Sequence, residues 1–253
     1  MLKCFTEDKL RVCVYETRDA MGAAAAKDAA DCILRMLETK NEINMIFAAA
    51  PSQNEMLAHL RSDPRIPWKR INAFHMDEYV GIRPDAPQGF ANFLKEALFD
   101  RVPFKSVNLL DCTADPDAEA ERYSKLLAEN PVDIVCLGIG ENGHIAFNDP
   151  HVADFNDPKL VKKVDLDEMC RMQQVHDGCF ATLDDVPKYA LSLTIPALTR
   201  GQYLFCVVPA ETKANAVKGT VFGEVGTACP ATVMRNHGGS TLYCDADSGK
   251  YIL

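Results

Sequence analysis

The stretch Val135-Cys-Leu-Gly-Ile-Gly-Glu-Asn-Gly-His-Ile-Ala-Phe-Asn-Asp149 runs from an apolar segment straight into a glycine-rich turn. Ile134 to Leu137 has the length and apolarity of a strand buried on both faces. The glycines let its end turn sharply, and the turn brings Asn142, His144 and Asp149 within a few residues of one another. An imidazole beside an amide and a carboxylate at a strand end is equipment for moving protons.

Outward from this stretch, apolar strand-like runs alternate with helical ones. Leu10–Tyr15, Ile43–Ala48, Ile71–Met76, Val132–Leu137, Tyr189–Ile195, Tyr203–Val208 and Thr241–Cys244 read as strands. Helices are expected over Asp19–Leu37 with Thr17 as N-cap, from Pro51 to about Leu60, over Phe90–Leu98 and Ala118–Leu127, and from Glu211 to about Lys218. This βαβα alternation predicts an α/β fold: a Rossmann-like, doubly wound, mostly parallel sheet with helices on both faces, in three layers. No repeat, low-complexity tract or linker-like shift divides the chain, so residues 1–253 are expected to form a single domain.

The charge balance narrows the partners. Net charge is −9, and the lysines and arginines are scattered, so neither nucleic acid nor an anionic membrane is an expected partner. The opening Met1–Lys9 lacks the apolar core of a signal peptide, and no stretch is long and apolar enough to span a bilayer. The 10 cysteines are irregularly spaced. Cys13, Cys136 and Cys206 sit in apolar runs, which predicts reduced, buried thiols and a cytoplasmic protein.

Four polar clusters fall at the carboxyl ends of the expected strands, where open parallel sheets bind ligands: Pro51–Asn54, Asp77–Tyr79, Gly140–Asp149 and Glu211–Lys213. Gly138-Ile-Gly-Glu-Asn-Gly143 matches a dinucleotide fingerprint in form, but Asn148-Asp149-Pro150 follows where that motif must open a helix. Asp77 and Glu78 should point to opposite faces of their strand and do different work, with His75 on the Asp77 side. A desolvated Asp77 would be a base for a proton next to a carbonyl. A metal set of His75, Asp77, His144, Asp149 and His151 shows no familiar ligand spacing, and no metal is expected. Ser52 suits a helix N-cap, where backbone N–H groups could hold an anion. Lys213 opens a later helix, an awkward place for a cation unless it meets a phosphate.

Phe74-His-Met-Asp-Glu-Tyr-Val-Gly81 and Gly138-Ile-Gly-Glu-Asn-Gly-His-Ile-Ala-Phe-Asn-Asp-Pro150 closely resemble the two signature segments of glucosamine-6-phosphate deaminases (isomerases), and Val186-Pro-Lys-Tyr-Ala-Leu191 resembles a further stretch. The related 6-phosphogluconolactonases carry Asp-Glu-Arg and Ser-Leu-Phe-Pro where this chain has Asp-Glu-Tyr and Phe-Asn-Asp-Pro. The resemblance implies conversion of an amino-sugar phosphate and water into a ketose phosphate and ammonia, by ring opening, C2 proton transfer and deamination. It implies no cofactor and no metal, a small-molecule sugar phosphate as the partner, and homo-oligomers among relatives. By position, Asp77 would move the C2 proton, and His144 would open the ring with support from Asn142 and Asp149. Lys213 and Ser52 would hold the phosphate; Gln53, beside Ser52, and Glu78, Gly140 and Gly143, in the matched segments, are the further expected substrate-binding positions.

Three departures set this chain apart. The usual Thr-Gly-x-Thr-Pro phosphate loop is replaced by Ala49-Ala-Pro-Ser-Gln53, Asp149 stands where Glu is frequent, and no arginine matches the one that grips phosphate in relatives. The region instead offers Arg171, Gln173, Gln174 and His176. The proton-moving residues are thus retained better than the phosphate grip, so the resemblance implies a sugar phosphate or close analogue as substrate, not necessarily glucosamine 6-phosphate. The alternatives are a lactone hydrolase and a sugar-phosphate-binding protein without turnover.

Overall fold

The computed structural model describes residues 1–253. The chain opens as an antiparallel hairpin of β1 (Lys3–Glu7) and β2 (Leu10–Val14). Helix α1 (Arg18–Leu37) follows, with Thr17 as its cap: the Thr17 hydroxyl accepts the Ala20 N–H at 3.1 Å. Loss of that bond leaves a helix-end donor without a partner, so Thr17→Ala is expected to lower unfolding free energy by about 1 kcal/mol, measured by urea unfolding.

Next come β3 (Ile43–Phe47), α2 (Asn54–Arg61), β4 (Ile71–His75), β5 (Asp77–Tyr79) and α3 (Phe90–Leu94). They are followed by β6 (Ser106–Asn108), α4 (Pro116–Glu129), β7 (Ile134–Leu137), β8 (Val161–Asp165) and α5 (Glu168–His176). The chain ends with β9 (Tyr189–Leu193), α6 (Ile195–Thr199), β10 (Tyr203–Val208), α7 (Ala214–Phe222) and β11 (Ser240–Cys244).

The main sheet has the order β1-β2-β11-β10-β7-β3-β4-β6, parallel throughout except for the β1–β2 hairpin. Its central strands are apolar at nearly every position because both faces are covered. Met45, Phe47, Phe205 and Val207 pack under α1 and α2, while Ile46, Leu204, Cys206 and Val208 join Tyr123 of α4 and Val217 of α7 on the other side. The mostly parallel sheet with helices is therefore as the alternation predicts. No helix is long and apolar enough to cross a membrane.

The structure corrects the sequence reading in three places. Ile71–Met76 does not run on into Asp77: the Met76 carbonyl accepts the Leu193 N–H at 2.8 Å, and the chain leaves the main sheet. β5 then joins a second, antiparallel sheet of order β5-β9-β8, which also takes β9 out of the parallel sheet. β1, β6, β8, α5 and α6 lie outside the elements expected from the sequence: Val161-Lys-Lys-Val-Asp165 is too charged to read as a strand, α5 lacks an apolar stripe, and Ile195, expected to end a strand, opens α6. Finally, Cys13 is not a free thiol. Antiparallel register sets it directly opposite Cys4, with Cα atoms 4.2 Å apart, and the two are joined in a disulfide. The other cysteines are free.

Candidate active site

The carboxyl ends of β3, β7 and β10 and the start of β5 surround one cavity. Six residues singled out in the sequence face it: Ser52, Gln53, Asp77, Gly140, His144 and Lys213. The remaining four, Glu78, Asn142, Gly143 and Asp149, stand behind its wall and shape it.

Asp77 is buried, and its carboxyl is pushed well above the usual carboxylate range, first by burial and then by the neighbouring Glu78 charge. Glu78 points the other way, as strand alternation requires. Its carboxylate accepts the backbone N–H groups of Tyr79, Phe90 and Ala91 at 3.0, 3.1 and 2.9 Å and so anchors the start of α3. Burial raises the Glu78 carboxyl too, against the pull of those bonds. His75 is not on the Asp77 side. The break at Met76 interrupts the alternation, leaving the ring 3.9 Å from Glu78 with both nitrogens unpartnered and its pKa lowered by burial to about 3.

The β7 loop presents His144. Gly140 is indispensable here: a Cβ at that position would lie 2.1 Å from the ring carbon Cε1. Gly140→Ala must therefore displace the imidazole, and a misplacement of this size is expected to lower kcat by about 100-fold in steady-state assays without unfolding the protein. Gly143 adopts φ 85°, and a side chain there would meet Cys229. Nδ1 of His144 lies 2.7 Å from Asn142 Oδ1 and 3.0 Å from Asp149 Oδ1. Asp149 is wholly buried. Burial pushes its carboxyl up, but hydrogen bonds from His144, Asn142 and the Asp167 N–H outweigh this and hold it below the usual value. The loop is fastened to the second sheet as well: Phe147 N–H donates to Ser192 Oγ at 3.0 Å, and Ser192 is the register partner of Asp77.

Lys213, on the cavity wall, is only 4% exposed and its Nζ has no hydrogen-bond partner. Burial lowers its pKa, opposed by the charges of Asp177 and Glu141. On the same cavity wall, Gln53 Nε2 donates to Leu137 O at 3.3 Å and Ser52 Oγ at 3.2 Å, and Gln53 Oε1 is buried without a partner. Ser52 is not a helix cap: it sits inside a 3-10 turn, Pro51–Gln53, that has no side-chain cap. Sequence reasoning missed Arg18, whose guanidinium donates to the Pro51 carbonyl and pairs with Glu55 at 2.8 Å, bracing the Pro51–Gln53 turn. It also missed Asp177, which lines the cavity one helical turn beyond Gln173 and Gln174. Arg171 does not reach the cavity wall; it donates to the carbonyls of Leu183 and Val186 at 2.6 and 3.1 Å.

The five residues weighed as metal ligands are split. His144 and Asp149 gather with Cys170, while Asp149 also groups with His151 and Asp167. His144 and Asp149 already bond to each other, and His151 pairs with Asp165 at 2.9 Å. What the cavity assembles is a carboxyl and an imidazole that can handle protons, together with a buried lysine.

A family model described as glucosamine-6-phosphate isomerases/6-phosphogluconolactonase matches residues 16–243. Glucosamine-6-phosphate deaminases of Bacillus cereus (strain B4264) and Bacillus thuringiensis (strain Al Hakam) are each 32% identical over 240 residues, covering 94% of this chain and 88% of theirs. Among solved structures, a monomeric glucosamine-6-phosphate deaminase superposes with a TM-score of 0.85 at 25% identity, covering 94% of this chain and 98% of its own. A 6-phosphogluconolactonase from Thermotoga maritima shares the fold, with a TM-score of 0.76 at 21% identity over 94% of this chain and 99% of its own. The chain belongs to the glucosamine-6-phosphate isomerase/6-phosphogluconolactonase family.

Proposed function

We propose that this chain is an aldose–ketose isomerase/deaminase that converts an amino-sugar phosphate, glucosamine 6-phosphate or a close analogue such as galactosamine 6-phosphate, into a ketose phosphate and ammonia. The observation that carries the reading is the meeting of three groups in one cavity: a desolvated Asp77, the His144 imidazole and the unpartnered Lys213 ammonium. A carboxylate made more basic by burial is suited to the weakly acidic C–H beside a carbonyl. A buried cation without a partner is suited to a phosphate, and Ser52 offers a further donor beside it.

In this reading His144 takes the proton of the anomeric hydroxyl and returns one to the ring oxygen, opening the sugar. Asp77 takes the C2 proton as the C–H electrons form a C1–C2 double bond and the C1 carbonyl π electrons move to O1, which takes a proton from the substrate's own 2-ammonium group. The same carboxyl then delivers its proton to C1 as the C1–C2 π electrons bond it and the nitrogen lone pair forms the C2–N double bond. The resulting C2 imine adds water and releases ammonia. Asp149 and Asn142 orient the imidazole. Lactone hydrolysis would need an activated water but no carbon base, and a buried carboxylate with a raised pKa favours the deaminase.

The test is ammonia release from glucosamine 6-phosphate and galactosamine 6-phosphate by folded protein, with hydrolysis of 6-phosphogluconolactone run beside it. Ammonia from either amino sugar supports the proposal. Lactone hydrolysis alone, or sugar-phosphate binding without turnover, overturns it.

A further inference from the structure

Asp167 lies outside the cavity wall and would pass for an ordinary helix cap, since its Oδ1 accepts the Cys170 N–H at 2.6 Å at the start of α5. Its second oxygen does something a cap does not require. Asp167 Oδ2 accepts Asn142 Nδ2 at 2.8 Å, and the same Nδ2 donates to Asp149 Oδ1 at 2.9 Å. The Asp167 N–H in turn donates to Asp149 Oδ2 at 3.1 Å.

The orientation of the Asn142 amide follows from what each neighbour can do. The backbone N–H of His144 can only donate, and it meets the Asn142 side chain at 3.0 Å, so the atom there is the oxygen. Nδ2 must then face Asp149 and Asp167, each of which accepts one of its hydrogens. The oxygen turned to His144 is also the atom 2.7 Å from Nδ1, and Asp149 Oδ1 stands 3.0 Å from that nitrogen. Both are acceptors, so Nδ1 carries the hydrogen, and in the neutral imidazole the bare nitrogen is then Nε2.

We propose that Asp167 is a positioning residue which, by holding the Asn142 amide, locks His144 as the tautomer with Nδ1 protonated and Nε2 bare. The catalytic consequence rests on the reading of His144 as the ring-opening base, which needs an unprotonated nitrogen to take the hydroxyl proton; the tautomer itself does not rest on it. α5 also lines the cavity through Gln173 and Gln174, and Gln173 Oε1 accepts the Glu141 N–H at 2.9 Å. The helix is thus fastened to the His144 loop at both ends, and Asp167 is the end that reaches the imidazole.

The experiment uses the full chain labelled with 15N-histidine, and long-range 15N–1H correlation at neutral pH, with His144 assigned by difference against His144→Gln. The wild-type protein is expected to show a protonated Nδ1 and a bare Nε2. Asp167→Asn keeps a good helix cap but sets an amide donor against the Asn142 donor, and Asp167→Ser keeps a cap too short to reach Asn142. Both are expected to lose the single tautomer and to lower kcat on a cyclic amino-sugar phosphate about 10- to 100-fold with KM little changed. A bare Nδ1 in wild type overturns the proposal, and so does an unaltered tautomer in whichever of the two variants folds. A tautomer that shifts as described in a protein that releases no ammonia leaves this inference standing and removes the proposed function.

Discussion

Asp77→Asn is expected to abolish exchange of the C2 proton and to reduce kcat/KM for an amino-sugar phosphate by about 100- to 10,000-fold, while a competitive sugar-phosphate ligand binds as before. The amide fills the same space but has no basic oxygen. The wild-type pH profile should betray the same group. Because burial raises the Asp77 carboxyl, the acidic limb of kcat/KM falls at a pH well above the ordinary aspartate value of about 3.9. Stability moves in the opposite sense. A carboxyl with a raised folded-state pKa costs the fold nothing while it is protonated in both states. It destabilises progressively as pH climbs from about 3.9 through the folded value, and fully above it. The Asn variant should therefore unfold at higher denaturant than wild type at neutral pH, and the difference should vanish in acid. Retained C2 exchange would remove Asp77 as the base.

Lys213→Met is the second large effect, again with opposed signs. Without the ammonium, the substrate phosphate loses a charge-assisted hydrogen bond in a buried site, about 1.5–3 kcal/mol, so KM or the Kd for inorganic phosphate should rise roughly 10- to 150-fold. The same change removes a buried cation with no partner and puts an unbranched apolar chain in its place, which should stabilise the empty protein by about 1–3 kcal/mol. In wild type the unfolded lysine binds its proton more tightly than the folded one, because burial lowers the folded pKa. Stability should accordingly increase as pH rises between that lowered value and about 10.4, and the variant should lose this slope. Equal phosphate affinity in the two proteins would show that Lys213 does not hold the anion.

How much of this was legible in the chain depends on what each segment needed. The parallel strands could be read because burial on both faces leaves little but Val, Ile, Leu, Phe and Cys in β7 and β10. Cavity residues at strand ends could be read because sheet topology fixes where such ends converge. The second sheet could not: β5 is only three residues long, and its departure from the main sheet turns on one carbonyl, that of Met76, finding a partner far along the chain. Glu78 looked like part of the site because it adjoins Asp77, yet its three backbone partners lie in β5 and α3. Asp167, Asp177 and Arg18 were missed for a common reason, since each acts through a fold contact and not through a local motif. Asp167 did carry a signal, an aspartate followed by Glu168 ahead of an apolar turn, which is the pattern of a helix start.

Ser192 joins the two halves of the cavity's chemistry, since its hydroxyl accepts the Phe147 N–H while its backbone is the register partner of Asp77. The placement of the Asp77 carboxyl relative to the His144 loop is consequently tied to one residue of the second sheet. In the proposed reaction the two groups would be placed by folding and not by the substrate, which lowers the reorganisation that each turnover requires.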